Sequence, residues 1–289
     1  MKKLLCAMLT IVLTISLTAC GTKTDNSGTG ASGTKDTASA DAGNTASTDA
    51  GNTASADTGD TASADNGTLI VGTEPGFAPY EYMEGDKVVG IDMDIAQAIA
   101  DAMGKKLEVK TMDFDGALLA VQQGKVDLVA AGVSVNEDRK KVMDFSKEYV
   151  NSTEVVVVNK ATPAVKSVED LNDKTIGVQQ GNIADFYVSD EANLKAKDIK
   201  RYTKFSQAAE DLKNGKIDCI VMDKYPAEEL VGANDSLTIL DGTLFEDKYA
   251  IAVKKGNTEL LNKINEVIDQ LIKDGKIEEF TANHTNAGK

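Results

Sequence analysis

Four short apolar runs in this chain each end in residues of a different kind. Residues 69–72 lead into Glu74 and Phe77, and residues 126–131 into Gly132, Ser134 and Arg139. Residues 175–179 lead into Gln180, Gly181 and Asn182, and residues 217–222 end in Asp223. These residue types sort by chemistry. Arg139 is a permanent cation whose planar fork can hold a carboxylate through two parallel bonds. Asp223, the Gly132 carbonyl and the Ser134 hydroxyl offer an anion and acceptors to an ammonium group. A helix beginning near Asn182 can add amide donors from its positive end. Brought together, the set matches both poles of a free α-amino acid. Each pole must be matched, because a charge buried unpaired costs several kcal/mol. The chain has no Trp, and Phe77 and Phe114 fall in loop-like sequences where a ring can cover a ligand side chain. Glu74 can reach the far end of that side chain, favouring an amide or a cation and repelling a carboxylate.

Plainer readings stand beside these. Arg139 lies in the run E-D-R-K-K, and such runs usually form solvated faces. Asp223 can simply cap the next helix, and Phe77 and Phe114 can be core residues. Residues 177–181 are too sparse for a phosphate loop and lack its lysine. What joins the candidates is their place at strand ends, the edge where open α/β sheets bind ligands.

Positioning them requires strands and helices in alternation. Residues 69–72, 107–112 and 126–131 read as strands, with helices at 91–103 and 116–123 between them. A second series follows: strands at 175–179, 199–202 and 217–222, and helices at 183–193 and 206–214, with Ser206 as the expected N-cap of the latter. Such alternation implies mainly parallel sheets. Two β-rich segments, 154–160 and 249–255, bracket the second series and read as paired crossings between two lobes. A last helix, 259–280, is expected to return to the first lobe. The expected division is 68–156 plus 248–289 for lobe one and 157–247 for lobe two.

The ends carry other signals. Lys2 and Lys3 followed by an apolar stretch and the small residues before Cys20 read as an export signal over residues 1–19. Residues 20–67 are expected to be a disordered tether, since their Gly, Ser, Thr, Ala, Asp and Asn offer nothing to bury. Four eight-residue repeats (36–43, 44–51, 52–59, 60–67) fill most of it. Their spaced aspartates invite a calcium-repeat reading, but no bulky apolar position recurs to build a core. A flexible chain of this length reaches about 35–40 Å. Only Cys219 remains for the folded part, so no intramolecular disulfide is possible there; in its apolar run it reads as a small buried residue.

The sequence holds 31 basic and 46 acidic residues, a net charge of −15. That balance argues against nucleic-acid partners and against docking on anionic lipid. No cofactor or metal site is expected.

The run G-T-E-P-G-F-A-P-Y-E-Y at 72–82 resembles the opening motif of the polar amino-acid family of bacterial extracellular solute-binding proteins, which serve ABC importers. Residues 113–116, 131–139, 177–182 and 221–223 follow in that family's order, so the resemblance covers residues 68–280. Asn136 and Asp138 stand where Thr and Glu are common, and Asn182 where Thr is common. The resemblance implies the two-lobed, two-crossover periplasmic-binding fold of type II, an α/β architecture. It implies that Phe77 and Phe114 flank the substrate side chain. Gly132, Ser134, Arg139, Asn182 and Asp223 would hold the head group, with Gln180 and Gly181 beside them. The sequence before Cys20 resembles a lipobox, which implies lipid on that cysteine.

The expected function is therefore a lipid-anchored, monomeric receptor on the extracytoplasmic face of the membrane. It would close around a polar or basic amino acid (glutamine, arginine, lysine, histidine or cystine) and present it to a permease. The alternatives are an enzyme on the same fold, a dehydratase or cell-wall lyase, and an adhesin or sensory ectodomain. Catalysis finds little support: His284, the only histidine, is expected in a frayed tail.

Overall fold

The computed structural model describes residues 67–285; the export signal, Cys20 and almost all of the repeat segment lie outside the described residues. The chain opens with β1 (Thr68–Thr73) and a small antiparallel excursion, β2 (Gly76–Phe77), β3 (Glu81–Glu84) and β4 (Lys87–Val89). There follow α1 (Ile91–Ala102), β5 (Lys106–Thr111), α2 (Phe114–Gln123), β6 (Leu128–Val129), α3 (Glu137–Val142) and β7 (Met143–Phe145). The second series is β8 (Val150–Asn159), β9 (Thr175–Gln179), α4 (Ile183–Ser189), β10 (Asp198–Tyr202), α5 (Phe205–Lys213), β11 (Cys219–Asp223), α6 (Lys224–Gly232), β12 (Leu237–Ile239) and β13 (Phe245–Tyr249). The chain then returns through β14 (Ala252–Lys254), α7 (Thr258–Lys273) and α8 (Lys276–Thr285).

Two main sheets result. The first has the order β5-β1-β6-β14-β7, with β5, β1 and β6 parallel. The second runs β10-β9-β11-β8-β12, with β10, β9 and β11 parallel and β8 antiparallel to its neighbours. The strand β8 carries the chain into the second sheet and β13 carries it out. These two lie side by side in register from Val150↔Tyr249 to Glu154↔Phe245.

Periodicity explains the helix packing. In α1, Ile91, Ile95 and Ile99 recur every fourth residue and are all fully buried. Each contributes roughly 1.5–3 kcal/mol by leaving water. The turn into α1 depends on Gly90: its φ is 133°, and a Cβ there would meet the Tyr80 carbonyl oxygen at 2.1 Å. Polar side chains fix other helix starts. Asp113 accepts from the Gly116 amide, Asn136 from that of Arg139, and Asn182 from that of Ala184.

Several local expectations are corrected. Phe114 opens α2 instead of lying in a loop, because Asp113 caps the helix one residue before it. The strand expected at 126–131 pairs only over Leu128–Val129. The helix expected at 183–193 ends at Ser189, where Asp190 turns extended. Ser206 is not an N-cap; Lys204 holds that position and α5 starts at Phe205, whose ring is drawn into the core. The long C-terminal helix breaks at Gly275, in a left-handed conformation (φ 67°), into α7 and α8. The partner of the first crossing is β13, since by Ala252 the chain has already joined the first sheet. His284 is not frayed: it lies in α8, with Nδ1 3.0 Å from the Tyr82 hydroxyl and Nε2 2.9 Å from Asp94 Oδ2.

Candidate functional site

Arg139 sits in the first turn of α3, 4% exposed, while Glu137, Asp138, Lys140 and Lys141 around it are solvated and paired among themselves. The charged-run reading therefore fails at this one position. One terminal nitrogen of its guanidinium donates to the Ser134 carbonyl at 2.5 Å. The other donates to the Gly181 carbonyl at 2.7 Å, and so joins α3, which leads into β7 of the first sheet, to the loop after β9 of the second. Its Nε is buried with no partner. Its Cζ lies over two rings, 5.4 Å from the centre of Phe114 and 5.7 Å from that of Phe186. Burial lowers its pKa to about 10, against the pull of Asp247, Tyr249 and Asp115, so it remains a cation at neutral pH.

Ser134 donates to Asp247 Oδ2 at 2.5 Å, and its backbone forms a bridge with Tyr249. Both partners lie on β13. Gly132, with φ 54°, passes so close to Phe77 that a Cβ would approach the ring to 2.8 Å. Its amide donates to Asp92, which also accepts from the Tyr149 hydroxyl at 2.7 Å. Burial raises the Asp92 pKa to about 6, with these two bonds holding it down.

Asp223 ends β11 and is fully buried. One oxygen accepts from the Tyr225 amide at 3.0 Å and so caps α6, as the plainer reading expected. The other accepts from the Tyr249 hydroxyl at 2.7 Å. Burial pushes its pKa up to about 7, opposed by those two bonds and reinforced by Asp247 and Glu228. Beside it in register is Glu154, fully buried with neither oxygen partnered. Burial, then the Asp223 charge, lifts its pKa well above the usual carboxylate range.

Glu74 lies at the end of β1, 1% exposed. One oxygen accepts from the Gln179 side-chain amide at 3.1 Å; the other is 3.9 Å from Lys204 Nζ. Burial raises its pKa, and Lys204 and then Gln179 lower it. Phe77 stacks with Tyr80 and with Phe205, at 5.7 and 6.0 Å, and is tilted against Tyr249 at 6.4 Å. Gln180 is exposed, and its side-chain amide donates to Asp115 of α2 at 3.3 Å. Gly181, at φ 73°, gives its carbonyl to Arg139 and its amide to Asp185. Asn182 is buried, and its side-chain oxygen caps its own helix. The amide donors expected near Asn182 are thus partly engaged.

The structure brings Phe114, Ser134, Arg139 and Gly181 together directly. It links them to Asp223 through Asp247 and Tyr249, and Phe77 continues the line from Tyr249 toward the Glu74 end. The contributors missing from the sequence reading are Tyr249, Asp247, Gln179, Lys204 and Phe186. Tyr249 and Asp247 are found only through the register of β13, and Lys204 only through the true start of α5. Phe186 lies on the first turns of α4 and is 44% exposed, so no apolar pattern singles it out. Among the described residues, no group of His, Cys, Asp and Glu is arranged to hold a metal ion. Cys219 is buried, and burial pushes its thiol pKa far up, so it is inert.

Comparison with known proteins gives a consistent picture. The family described as "Bacterial extracellular solute-binding proteins, family 3" matches residues 69–287. The arginine-binding extracellular protein ArtP of Bacillus subtilis (strain 168) is 34% identical over 218 residues, covering 73% of this chain and 84% of the relative. The L-cystine-binding protein TcyJ of Escherichia coli (strain K12) is 30% identical over 214 residues, covering 73% and 80%. Among solved structures, an ancestral arginine-binding protein bound to arginine superposes with a TM-score of 0.69 at 40% identity, covering 75% of this chain and 98% of that one. A structure of an ancestral arginine-binding protein bound to glutamine also superposes with a TM-score of 0.69 at 40% identity, covering 75% of this chain and 97% of that one.

Proposed function

Because this chain belongs to the bacterial extracellular solute-binding proteins of family 3, a family of binding proteins and not of enzymes, we propose that its two lobes close around one free polar or basic α-amino acid. The observation that carries this reading is the pair of opposite, buried charges supplied by the two lobes. Arg139 stands on the first and Asp223 on the second, and both belong to one network through Ser134, Asp247 and Tyr249. Arg139 takes the ligand carboxylate in place of the carbonyls it now holds. Asp223 takes the ammonium, with the Ser134 hydroxyl and the Gly132 carbonyl as further acceptors. Phe77 and Phe114 flank the side chain, and Gln180, Gly181 and Asn182 form the second lobe's wall beside the carboxylate.

A ligand gripped by both lobes has more contacts in the closed state than in the open one, and that difference drives closure. Glu74 meets the far end of the side chain, which selects glutamine, arginine, lysine, histidine or cystine over acidic residues. The lobes are 68–156 with 248–289, and 157–247. Lipid on Cys20 and a tether over residues 20–67 hold the receptor at the outer face of the membrane, where it delivers its ligand to an ABC permease.

The test is a thermal-shift panel of the twenty amino acids with cystine and ornithine. One or two polar or basic members should raise the melting temperature at micromolar concentration. Strong stabilisation by glutamate would refute the role given to Glu74, and no response to any member would refute the reading itself.

A further inference from the structure

We propose that Lys204 decides whether the side-chain end of the cleft takes a neutral or a cationic group, by competing with the ligand for Glu74. The inference rests on the amino-acid reading above and deepens it.

Glu74 arrives from the first lobe, where the Gly76 amide answers its charge in part; the larger answers, Lys204 and Gln179, come from the second. Gln179, at the end of β9, donates its side-chain amide both to Glu74 Oε2 at 3.1 Å and to the Thr203 carbonyl at 3.2 Å. That second bond ties it to the residue just before Lys204. Lys204 is the N-cap of α5, so its ammonium is delivered to the same spot by the same turn. It stands 3.9 Å from Glu74 Oε1, the oxygen that no hydrogen bond engages. This distance is beyond hydrogen-bond reach, so the ammonium is held by charge and not by a fixed geometry. Its side chain is 54% exposed, against 2% for that of Glu74, which leaves it a solvated place to go. Asp113 is the other charge that acts on Glu74, and it is of like sign.

With Lys204 in place the charge of Glu74 itself is answered, yet Oε1 can still accept one hydrogen bond. A neutral donor, such as a carboxamide or ureido NH2, fits without disturbing the pair. A guanidinium or ammonium adds a second cation to a subsite that already has one, and must push Lys204 out to solvent. The subsite is therefore less selective for cations than a buried glutamate alone would make it.

Arginine and citrulline test this directly, because they share length and shape and differ by one charge. The readout is calorimetric affinity of the full chain for each. Lys204→Met should raise the ratio of arginine to citrulline affinity about tenfold, since a partly exposed ion pair no longer has to be broken. Lys204→Arg should leave the ratio within about twofold of the parent. In a Glu74→Gln background the Lys204→Met change should have no effect on the ratio. A ratio unmoved by Lys204→Met, or moved toward citrulline, would overturn the assignment, as would a parent chain that binds cystine but neither probe. A parent chain that binds no amino acid at all would instead sink the proposed function, and this is read from the unmodified protein alone.

Discussion

Replacing Asp223 with Asn removes a charge while leaving its local bonds in place, so it separates the residue's structural work from its proposed role. Asn can still accept from the Tyr225 amide through Oδ1, and its Nδ2 can donate to the Tyr249 hydroxyl oxygen, which then turns its own proton away. What disappears is the buried carboxylate, whose pKa is lifted from 3.8 to about 7, mainly by desolvation. A raised carboxyl pKa contributes stability that is fully present below about pH 4 and is lost as the pH rises through about 7. At pH 8 the folded protein thus carries a strain of order 4 kcal/mol at most, which the neutral amide relieves. For a domain of this size that corresponds to a melting temperature higher by up to about 8–16 °C at pH 8, and by under half as much at pH 5. Binding should move the other way. The ligand ammonium needs the carboxylate, so the variant should lose at least 100-fold in affinity, about 3 kcal/mol. The parent's affinity should also fall as the pH drops below about 7, even as its ligand-free form grows more stable. Thermal melts from pH 5 to 8, with and without the best amino acid, read both effects. A variant that melts lower than the parent at pH 8, or that binds as well as the parent, refutes the reasoning.

Arg139→Ala should abolish binding of every amino acid, since each carries the same carboxylate, and calorimetry that finds any ligand unaffected contradicts the head-group assignment. Phe114→Ala should weaken binding unevenly across side chains, by roughly 1–3 kcal/mol where the ring contact is largest, as a calorimetric series would show. Gly90→Ala should destabilise the fold by more than about 3 kcal/mol in denaturant titrations, because its Cβ would lie 2.1 Å from the Tyr80 carbonyl oxygen at a φ that only glycine adopts readily.

Much of the fold was legible because its signals are local. The four-residue recurrence of Ile91, Ile95 and Ile99 marks a helix face, and the short apolar runs mark strands buried on both sides. The misjudged boundaries fell where one residue's burial overrides local chemistry. Ser206 is a good cap by type, yet Phe205 before it is pulled into the core and moves the cap to Lys204. The candidate residues were legible as interruptions at strand ends. Their partners were not, because Tyr249 and Asp247 reach Asp223 and Ser134 only through the pairing of β13 with β8. Register between segments about a hundred residues apart leaves no mark in either segment. His284 was misjudged for the same reason: its partners, Tyr82 and Asp94, are about 200 residues away.

The most direct test is a crystal structure of the chain with the amino acid that stabilises it most. The account predicts the ligand carboxylate on the Arg139 guanidinium, its ammonium at hydrogen-bond distance from Asp223, and both lobes in contact with the one molecule. A ligand bound to one lobe alone, or with its ammonium away from Asp223, would contradict it.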